Sequence, residues 1–332
     1  MVMKWLITGG CGFIGRSLIR ALLADEINSI RILDNLSVGS IDELASISDF
    51  VIKNDDKCGV SSFTKSKVEL VVGDILDENM ALKCTQGADI IVHLAANTGV
   101  GPSVTNPRMD CINNVLGTFN YLDAARLNGV KRFIFSSSGA PAGECEPPIH
   151  EELPPHPVSP YGASKLAGEG YCSAYFRTFG VETVVLRFSN VYGPLSSKKE
   201  SVVAKFIKNA MAGQPLRIFG DGSQTRDFLY IDDLVNAILL GSTVADIGGE
   251  TFQIATATET TVEEIAKKLK TLIEQYNSHG SVSISYLDAR IGDVKRNFSD
   301  TSKAKNRLGW RADVQLEYGL KKTFEWFQQG NV

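Results

Sequence analysis

The sequence lacks several features by which membrane, secreted and nucleic acid-binding proteins are recognised. No apolar stretch approaches the roughly 20 residues that a membrane-spanning helix needs. Residues 1–4 lead directly into an apolar strand, without the charged, apolar and small-residue segments of a signal peptide. The 34 basic and 38 acidic residues leave a formal net charge of −4, so charge does not favour nucleic acid binding. We therefore expect a cytoplasmic protein without a membrane or nucleic acid partner.

Cysteine and histidine are also sparse. The six cysteines are scattered and never form a Cys-x-x-Cys pair, which indicates reduced thiols in a cytoplasmic protein. None of the four histidines lies at metal-ligand spacing from another histidine or cysteine, so we expect no metal site. The same scarcity disfavours a Ser-His-Asp hydrolase. The lysine pairs at 198–199 and 267–268 are expected to lie on solvated surfaces.

An alternation of apolar strands and helical patterns is present instead. The 332 residues, 43% of them hydrophobic, suffice for one large or two modest domains. Predicted strands are the apolar runs at 4–8, 30–34, 68–74, 88–94, 132–136, 182–188 and 251–255. Predicted helices cover 13–24, 77–86, 113–128, 161–179 and 201–212. Continuous apolar strands that alternate with helices are typical of a doubly wound α/β domain with a parallel sheet.

The second half of the chain is less regular. After residue 190 the alternation of strands and helices breaks down. Thr261 and Glu264 fit a capping box that opens a further helix. Residues 146–157 are rich in proline and predict an irregular loop, and residues 46–67 predict a long polar connection between two strands.

The segment LITGGCGFIG joins a strand to a glycine-rich turn. Gly10, Gly12 and Gly15 satisfy G-x-G-x-x-G at the start of a helix, where backbone N–H groups can meet a pyrophosphate. A glycine-rich turn without a ligand has the same spacing. However, Asp34 closes the next strand about 20 residues later, where a carboxylate binds the adenosine ribose. Because Asp34 would repel a 2′-phosphate, the sequence predicts NAD rather than NADP.

The segment SPYGASK supplies a candidate base. Tyr161 and Lys165 are four residues apart at the start of a predicted helix, so they share a face. A free tyrosine has a pKa of about 10, but a neighbouring ammonium and a cationic nicotinamide both favour the phenolate. Such a pair can take a proton from a hydroxyl while NAD⁺ accepts the hydride from the same carbon. The alternative, a solvated Tyr–Lys pair on a helix surface, is disfavoured by the dinucleotide pattern upstream.

With these motifs in order, the chain resembles the extended short-chain dehydrogenase/reductase family. The resemblance covers nearly the whole chain and rests on TGGCGFIG, DNLSVGS, GDILD, HLAA, FIFSSS, YGASK, RFSNVYGP and TRDFLYIDD. Within the NAD-dependent epimerases and dehydratases of this family, the chain looks like the nucleotide-sugar 4-epimerases of the UDP-glucose and UDP-N-acetylglucosamine type. The resemblance implies a Rossmann-type doubly wound sheet with a smaller C-terminal α/β substrate domain.

The resemblance also implies a role for each matching residue. The catalytic residues are Ser138, which hydrogen-bonds the reacting sugar oxygen, Tyr161 as the base and Lys165 as its partner. The implied cofactor-binding residues are Gly9, Gly12, Phe13, Ile14, Gly15, Asp34, Asn35, Asp74, Ile75, Leu94, Ala95, Ala96, Thr98, Asn113, Tyr161 and Lys165. The implied substrate-binding residues are Ser138, Tyr161, Asn190, Arg226, Arg290, Asp293 and Asn297.

The two residues after Ser138 narrow the range of reactions that the chain is expected to catalyse. Dehydratases and decarboxylases that resemble this chain usually carry Asp-Glu or Glu at this place, but here it holds Gly139 and Ala140. Neither residue can transfer a proton. We therefore predict redox-neutral 4-epimerisation of UDP-GlcNAc/UDP-GalNAc or UDP-Glc/UDP-Gal through a transient 4-keto sugar, with Tyr161 as base.

Three alternatives remain open. The chain could be a 4-epimerase of a UDP-uronic acid or another nucleotide sugar, with Ser136 and Ser137 available to a carboxylate. A nucleotide-sugar 4,6-dehydratase is less favoured because Gly139 and Ala140 supply no acid. A non-catalytic NAD-binding regulator is less favoured because the catalytic set is complete.

Two departures from the family pattern concern the sugar pocket. Residues 141–143 read Pro-Ala-Gly where the family usually has Val-Tyr-Gly, which removes a tyrosine near the sugar. Asn297 matches a site where a bulky tyrosine restricts some epimerases to sugars without an N-acetyl group. Because asparagine is smaller, we expect N-acetylated sugars to be tolerated.

The resemblance also predicts domains and assembly. Residues 1–190, with 229–258 returning to them, form the predicted NAD-binding domain. Residues 191–228 and 259–332 form the predicted nucleotide-sugar-binding domain. The segments 113–128 and 161–179 match the helices that relatives pack into a four-helix dimer interface, so we expect a homodimer.

Overall fold

The computed structural model describes residues 3–25, 28–53, 63, 67–276, 281–289 and 294–330. Its centre is an eight-stranded parallel sheet in the order β12-β7-β6-β5-β1-β2-β4-β3. These strands are β1 (Met3–Thr8), β2 (Asn28–Asp34), β3 (Val51–Lys53), β4 (Val68–Val72), β5 (Ile90–His93), β6 (Arg132–Ser138), β7 (Thr183–Phe188) and β12 (Glu250–Ile254). The predicted doubly wound α/β fold is thereby confirmed.

Helices cover both faces of the large sheet. Helices α3, α6 and α7 pack on one face and α1 and α9 on the other. The α-helices within the described residues are α1 (Phe13–Leu23), α2 (Ile41–Ala45), α3 (Glu78–Thr85), α4 (Val100–Thr105), α5 (Pro107–Cys111), α6 (Gly117–Leu127), α7 (Pro160–Phe179), α8 (Val202–Met211), α9 (Ile231–Thr243), α10 (Val262–Tyr276) and α11 (Leu316–Gln328). Because both faces are covered, the strands are apolar along their length: Leu6 packs into one core and Ile7 into the other.

The structure departs from the predicted elements in a few places. The predicted helix at 113–128 begins with a π-helical turn, Ile112–Leu116, before α6. Strand β3 lies in the connection 46–67, which the sequence analysis predicted as a long polar connection between two strands. The connection thus adds a short strand at the edge of the sheet, where Val51–Lys53 pairs with β4.

The C-terminal part is built from small two-stranded sheets. These pair β8 (Asn190–Tyr192) with β11 (Phe228–Tyr230), β9 (Leu216–Phe219) with β14 (Ile284–Leu287), and β10 (Thr225–Arg226) with β13 (Thr260–Thr261). Helices α8, α10 and α11 pack together over them. The predicted cap of α10 is present, since Glu264 N donates to Thr261 Oγ1 at 3.0 Å.

The chain returns to the large sheet after α9, where β12 pairs in parallel with β7. Strand order reverses beside β1, which lies between β2 and β5. At such a point the loops after neighbouring strands diverge and leave a crevice at their carboxyl ends. Within the described residues, no helix combines the length and the apolar character that crossing a membrane requires.

Candidate active site

The turn between β1 and α1 is shaped by glycine. Gly9 has φ +70°, and a Cβ there would lie 2.8 Å from Ala95 N. A Cβ on Gly15 would lie 2.5 Å from the Cα of Gly10, so backbone fills the space that side chains would need. The first intrahelical bond of α1 runs from Arg16 N to Gly12 O at 3.0 Å. The N–H groups of residues 13–15 precede this bond and are free to bind an anion such as a pyrophosphate.

The carboxyl end of β2 presents Asp34 beside this turn. Asp34 Oδ2 accepts a hydrogen bond from Cys11 N at 2.9 Å, and Oδ1 accepts one from Leu36 N at 2.8 Å. Burial raises the pKa of Asp34, and the two backbone hydrogen bonds oppose that rise. Each carboxylate oxygen keeps a second lone pair, so Asp34 can still accept ribose hydroxyls. Asn35 Nδ2 donates to Asp74 Oδ2 at 3.1 Å, which brings two further predicted adenosine contacts together.

The loop after β5 is tied to its neighbours by backbone hydrogen bonds. Leu94 N donates to Thr8 O at 3.1 Å and Ala95 N to Thr8 Oγ1 at 3.3 Å. Ala96 is half-buried beside them and Thr98 is exposed. The predicted contacts of this loop therefore line the crevice next to the glycine turn.

Asn114, which the sequence analysis did not single out, holds this loop in place. Its Oδ1 accepts from Asn97 N at 2.7 Å, and its Nδ2 donates to Asn97 O at 2.9 Å. Asn114 is buried, whereas the predicted residue Asn113 is half-buried. Ile75 packs against Gly117 one turn later, where a Cβ would lie 2.5 Å from Ile75 Cδ1. The sequence pattern does not distinguish Asn113 from Asn114, because which of them is buried depends on the rotation of the helix about its axis.

The predicted catalytic residues meet at the end of β6. Ser138 is the last residue of β6, and Tyr161 and Lys165 lie on the first turns of α7. Ser159 caps α7 by accepting a hydrogen bond from Gly162 N at 3.1 Å. Lys165 Nζ donates to the Ser136 carbonyl at 2.8 Å and lies 5.9 Å from the centroid of the Tyr161 ring.

In the protein without bound cofactor, burial has the largest influence on the pKa values of Tyr161 and Lys165. It raises the pKa of Tyr161 to about 12, although a hydrogen bond with Ser138 acts in the opposite direction. Burial lowers the pKa of Lys165 to about 8. In the chain without cofactor this pKa favours the protonated phenol, and the sequence analysis invoked the cationic nicotinamide as well as the ammonium to favour the phenolate.

Two serines before Ser138 face inward. Ser136 Oγ donates to the His93 carbonyl at 2.8 Å. Ser137 Oγ donates to Glu169 Oε1 at 2.5 Å, and Arg187 binds the same carboxylate through two hydrogen bonds of 2.9 and 2.7 Å. This buried network of β6, β7 and α7 was not foreseen from the sequence. It leaves Ser138 as the hydroxyl of the three that faces the crevice with Tyr161.

His93, the last residue of β5, is a packed residue. It is fully buried, with Nδ1 2.9 Å from Thr8 Oγ1 and Nε2 3.2 Å from Thr118 Oγ1. Its ring stacks on Tyr121 at 5.7 Å and on Phe133 at 5.9 Å between centroids. Burial lowers its pKa to about 3, so the imidazole is neutral.

The wall that follows Ser138 is a tight turn. Residues Ala140–Ala142 form a 3₁₀ turn in which Pro141 and Ala142 are buried. Gly143 has φ +69°, and a Cβ there would lie 1.7 Å from His156 O. The Pro-Ala-Gly sequence therefore suits a turn that packs against the following loop, and it presents no acid to the crevice.

The described substrate candidates come from three separate segments. Asn190 is the exposed first residue of β8, and its N donates to Asp227 O at 3.0 Å. Arg226 Nη1 donates to Val294 O at 2.7 Å. Asn297 N lies 3.3 Å from Thr225 Oγ1, as donor to that hydroxyl. The predicted contacts Arg290 and Asp293 lie outside the described residues.

Lys199 was expected on a solvated surface, and that prediction was wrong. Its side chain is half-buried, with Nζ 6.0 Å from the centroid of Phe13 on the first turn of α1. Burial lowers its pKa. Its neighbour Lys198 does remain exposed and pairs with Glu43 at 3.1 Å. An ammonium therefore lies near the glycine turn, because the segment after β8 folds back onto α1.

The residues of the crevice fit the cofactor that the sequence predicts. The glycine turn is a cradle that a Cβ would fill, and Asp34 and Asn35 flank it at the carboxyl end of β2. Tyr161 and Lys165 stand at the opposite side, at the carboxyl end of β6. An NAD molecule lying along this edge would reach from the adenosine residues to the catalytic pair.

Comparisons with known proteins agree with this geometry. The family model "NAD dependent epimerase/dehydratase family" matches residues 5–255. The UDP-glucose 4-epimerase of Mycolicibacterium smegmatis is 35% identical over 331 residues, which cover 98% of this chain and 99% of that protein. The structure is similar to the UDP-N-acetylglucosamine 4-epimerase of Methanobrevibacter ruminantium in complex with UDP-N-acetylmuramic acid, with a TM-score of 0.86, 29% identity and 99% coverage of both chains.

A second structure carries the cofactor. The UDP-glucuronic acid 4-epimerase of Bacillus cereus, solved with UDP-glucuronic acid and NAD, aligns with a TM-score of 0.85 and 29% identity over 98% of this chain and 99% of that one. The resemblance to the extended short-chain dehydrogenase/reductases is confirmed, as are the enzymatic nature of the chain and its cofactor, NAD. With its glycine turn, its Ser–Tyr–Lys set and this similarity along nearly its whole length, the chain belongs to the NAD dependent epimerase/dehydratase family.

Proposed function

We propose that the chain catalyses the 4-epimerisation of a UDP-sugar, with UDP-GlcNAc/UDP-GalNAc or UDP-Glc/UDP-Gal as substrates. The observation that carries the proposal is the meeting of Ser138, Tyr161 and Lys165 at one strand end, across the crevice from the glycine turn. The UDP-sugar 4-epimerases to which the chain is similar over nearly its full length support the same conclusion.

Tyr161 moves the proton in this proposal. Its phenolate accepts the proton of the sugar C4 hydroxyl and later returns a proton to the same oxygen, which Ser138 Oγ hydrogen-bonds. NAD⁺ held by the glycine turn and Asp34 would supply the acceptor and donor of the C4 hydride, and its positive ring would favour the phenolate. Because burial is the main cause that raises the pKa of Tyr161 to about 12, formation of the base at neutral pH needs the positive charge of the bound cofactor. Lys165 holds the strand end through the Ser136 carbonyl and supplies the nearby positive charge.

Epimerisation requires that the sugar turn over in the site between the two hydride transfers. No proton other than that of the C4 hydroxyl has to move, so one base is enough. Elimination of water from the sugar would need a second acid and base, and Gly139 and Ala140 cannot serve. The geometry therefore favours the epimerase over a 4,6-dehydratase.

The structure gives little support to a uronic acid as the sugar of the substrate. The sequence analysis reserved Ser136 and Ser137 for a sugar carboxylate, but both hydroxyls donate to buried protein acceptors. Glu169, which accepts the Ser137 proton, is itself paired with Arg187, so the Ser137 hydroxyl has no proton left for a sugar carboxylate. A uronic acid 4-epimerase stays an alternative through similarity to such enzymes, among them the one of Bacillus cereus.

The residue roles form part of the proposal. The predicted cofactor set holds the dinucleotide, with Asp34 selecting NAD over NADP because its charge repels a 2′-phosphate. Asn190 and Arg226 hold the nucleotide diphosphate, and Arg226 already donates to backbone carbonyls of two segments at the crevice. Arg290 and Asp293 keep their predicted roles as substrate contacts. The half-buried Asn297 leaves room for an N-acetyl group.

The domain division also belongs to the proposal. Residues 1–190 and 229–258 hold the cofactor, and residues 191–228 and 259–332 hold the nucleotide sugar. Two pairings support the division: β12 joins the large sheet beside β7, and β9 pairs with β14 across a long interval of sequence.

We further propose that two chains associate through α6 and α7. Leu127, Tyr171 and Phe179 on these helices are 55%, 40% and 52% exposed in the single chain. Large apolar side chains grouped on one helix pair favour an interface between copies. Light scattering at micromolar concentration should give twice the mass of the chain, and a monomer would contradict this part of the proposal.

Product analysis by NMR tests the function. The purified enzyme is incubated with UDP-N-acetylglucosamine, UDP-glucose and UDP-glucuronate in turn, without added NAD. Conversion of one of the first two to the matching galacto sugar is expected, which would also establish that NAD stays bound. Conversion of UDP-glucuronate alone would favour the uronic acid alternative. No product from any of the three, with NAD⁺ added, would overturn the proposed substrates.

A further inference from the structure

Four charged side chains are buried at and behind the catalytic pair. Lys165 is 3% exposed, Glu169 is 7% exposed, Arg187 is 6% exposed and Asp110 is fully buried. Glu169 is already neutralised, since Arg187 binds both of its oxygens. The ammonium of Lys165 donates to a carbonyl rather than to a carboxylate. A buried ammonium without an opposite charge nearby is costly, so its counter-charge has to come from elsewhere.

Asp110 is the remaining carboxylate of this cluster. It lies on α5, which packs against α7. Its Oδ1 accepts from Asn114 Nδ2 at 3.0 Å, and its Oδ2 has no hydrogen-bond partner among the described residues. Asn114 Nδ2 also lies 3.0 Å from Ser164 Oγ, and Ser164 Oγ donates to the Tyr161 carbonyl at 3.0 Å. A short chain of contacts therefore joins Asp110 to the backbone of Tyr161.

We propose that Asp110 is the buried counter-ion of Lys165 and a positioning residue for the pair Tyr161–Lys165, acting through its charge and through Asn114 and Ser164. The proposal deepens the proposed function and rests on it for its effect on turnover. It assigns a role to a buried carboxylate that the proton transfer itself does not use.

The electrostatics of the cluster support this assignment. After burial, the charge of Asp110 is the largest influence on the pKa of Lys165, and it raises that pKa. It also raises the pKa of Tyr161. Asp110 therefore keeps Lys165 protonated inside the protein and opposes early ionisation of Tyr161.

The other titratable groups near the pair are accounted for. From α7, Glu169 and Cys172 also raise the pKa of Lys165, but less than Asp110 does. His93 on β5 is neutral because burial lowers its pKa to about 3. Arg187 on β7 is paired with Glu169. Arg108, on α5 itself, is exposed to solvent.

The sign of the effect on turnover follows. Activity rises with pH as Tyr161 ionises and falls as Lys165 loses its proton. Because Asp110 raises the pKa of both groups, Asp110→Asn should lower both and displace both limbs of the pH profile of kcat/KM toward lower pH. A purely structural residue would lower the maximum without displacing the limbs.

Direct titration of Lys165 tests the proposal without relying on turnover. The ε-carbon signals of ¹³C-lysine-labelled protein are followed against pH, and Lys165→Met identifies the signal of Lys165. Asp110→Asn keeps the shape and the acceptor oxygen for Asn114, and should lower the midpoint by about 1 pH unit or more. The control, Asp49→Asn, removes an exposed carboxylate and should leave the midpoint unchanged.

An unchanged Lys165 midpoint in Asp110→Asn would overturn the proposal, whatever the substrate of the enzyme. A lowered midpoint in a protein that converts none of the three UDP-sugars would instead support the counter-ion and contradict only the proposed function.

A double-mutant cycle covers the case in which Asp110→Asn folds poorly. In the Lys165→Met background Asp110 has lost its counter-charge, so Asp110→Asn should raise the melting temperature there while lowering it in the natural sequence. Equal lowering in both backgrounds would show that the two charges are not coupled and would contradict the proposal.

Discussion

The two ends of the crevice are built in different ways. The proposed nucleotide end combines the backbone of the β1–α1 turn with the side chains of Asp34, Asn35 and Asp74, and its parts come from neighbouring strands of one sheet. The proposed sugar end (Asn190, Arg226 and Asn297) is made of side chains on segments that pair across long intervals of sequence. Ligand binding by the backbone of the turn is weakened when a substitution adds a side-chain atom there. Ligand binding by side chains is weakened when the charge or size of those side chains changes.

The proposed catalytic pair, Tyr161 and Lys165, lies between these ends. Its properties depend neither on backbone geometry alone nor on its own side chains alone. Tyr161 and Lys165 are positioned by helix α7, but their acidity is set by burial and by charges from other elements. The contrast between the ends can therefore be tested by substitutions that act on one of them and spare the other.

The largest effect on turnover is expected at Tyr161, between the two ends of the crevice. Tyr161→Phe removes the hydroxyl that we propose moves the proton, so turnover should fall by about 10³-fold or more, since general acid–base catalysis contributes about 10²–10⁴-fold. NAD should still co-purify, because the glycine turn is untouched. Stopped assays with product detection and cofactor absorbance measure both. Full turnover in Tyr161→Phe would assign the proton transfer to another group and favour a non-catalytic role for this set.

At the nucleotide end, Gly15→Ala should act next most strongly. Its Cβ would lie 2.5 Å from the Cα of Gly10, so the turn must shift. We expect NAD affinity to fall by roughly tenfold to a hundredfold, and stability by about 1–3 kcal/mol. Isothermal titration calorimetry with NAD⁺ and thermal unfolding measure these changes.

Gly170→Ala is the matched control for Gly15→Ala. Gly170 lies in α7 with nothing within 4 Å of a Cβ, so alanine should stabilise the helix by about 0.5–1 kcal/mol and leave NAD affinity unchanged. Similar losses of NAD affinity in both variants would mean that the tight glycine packing is not what binds the cofactor.

At the sugar end, Asn297→Tyr tests size. The larger ring should lower kcat/KM for UDP-N-acetylglucosamine by about 10–100-fold and spare UDP-glucose, since pocket size discriminates by about this much. NAD affinity should not change. Asn297→Ser serves as the small control. If both sugars lost activity equally, Asn297 would not be the residue that admits the N-acetyl group.

The smallest effect concerns pH. Burial lowers the pKa of Lys165 to about 8, and the proposed mechanism needs its charged form. Activity should therefore fall by about tenfold per pH unit above a midpoint no higher than about 8, because any cation bound nearby lowers this pKa further. The alkaline limb of kcat/KM measures it, with exposed Lys131→Met as control. A midpoint near the ordinary lysine value would show that Lys165 is solvated.

Local spacing predicted the parts of the site that lie close together in sequence. The structure places Asp34 beside the glycine turn, as the sequence spacing predicted. It also places Lys165 one helical turn after Tyr161, as predicted. Spacing did not reveal which of two neighbours faces inward. Asn114 rather than Asn113 ties the loop after β5, and Ser136 and Ser137 turn to buried acceptors. These outcomes depend on packing against elements that are distant in sequence.

By itself, the sequence determined the alternation of apolar strands and helices, and thereby the parallel sheet with its ligand crevice. Its glycines determined a close backbone turn, because no other residue fits there. Only the tertiary structure decided which charges are buried together: Glu169 with Arg187, and Asp110 near Lys165. It also brought Lys199 onto α1 and joined Arg226 to the segment before Asn297. The physical reason is that pKa values and long-range contacts depend on distances in space, which residue spacing reports only within one turn or one strand.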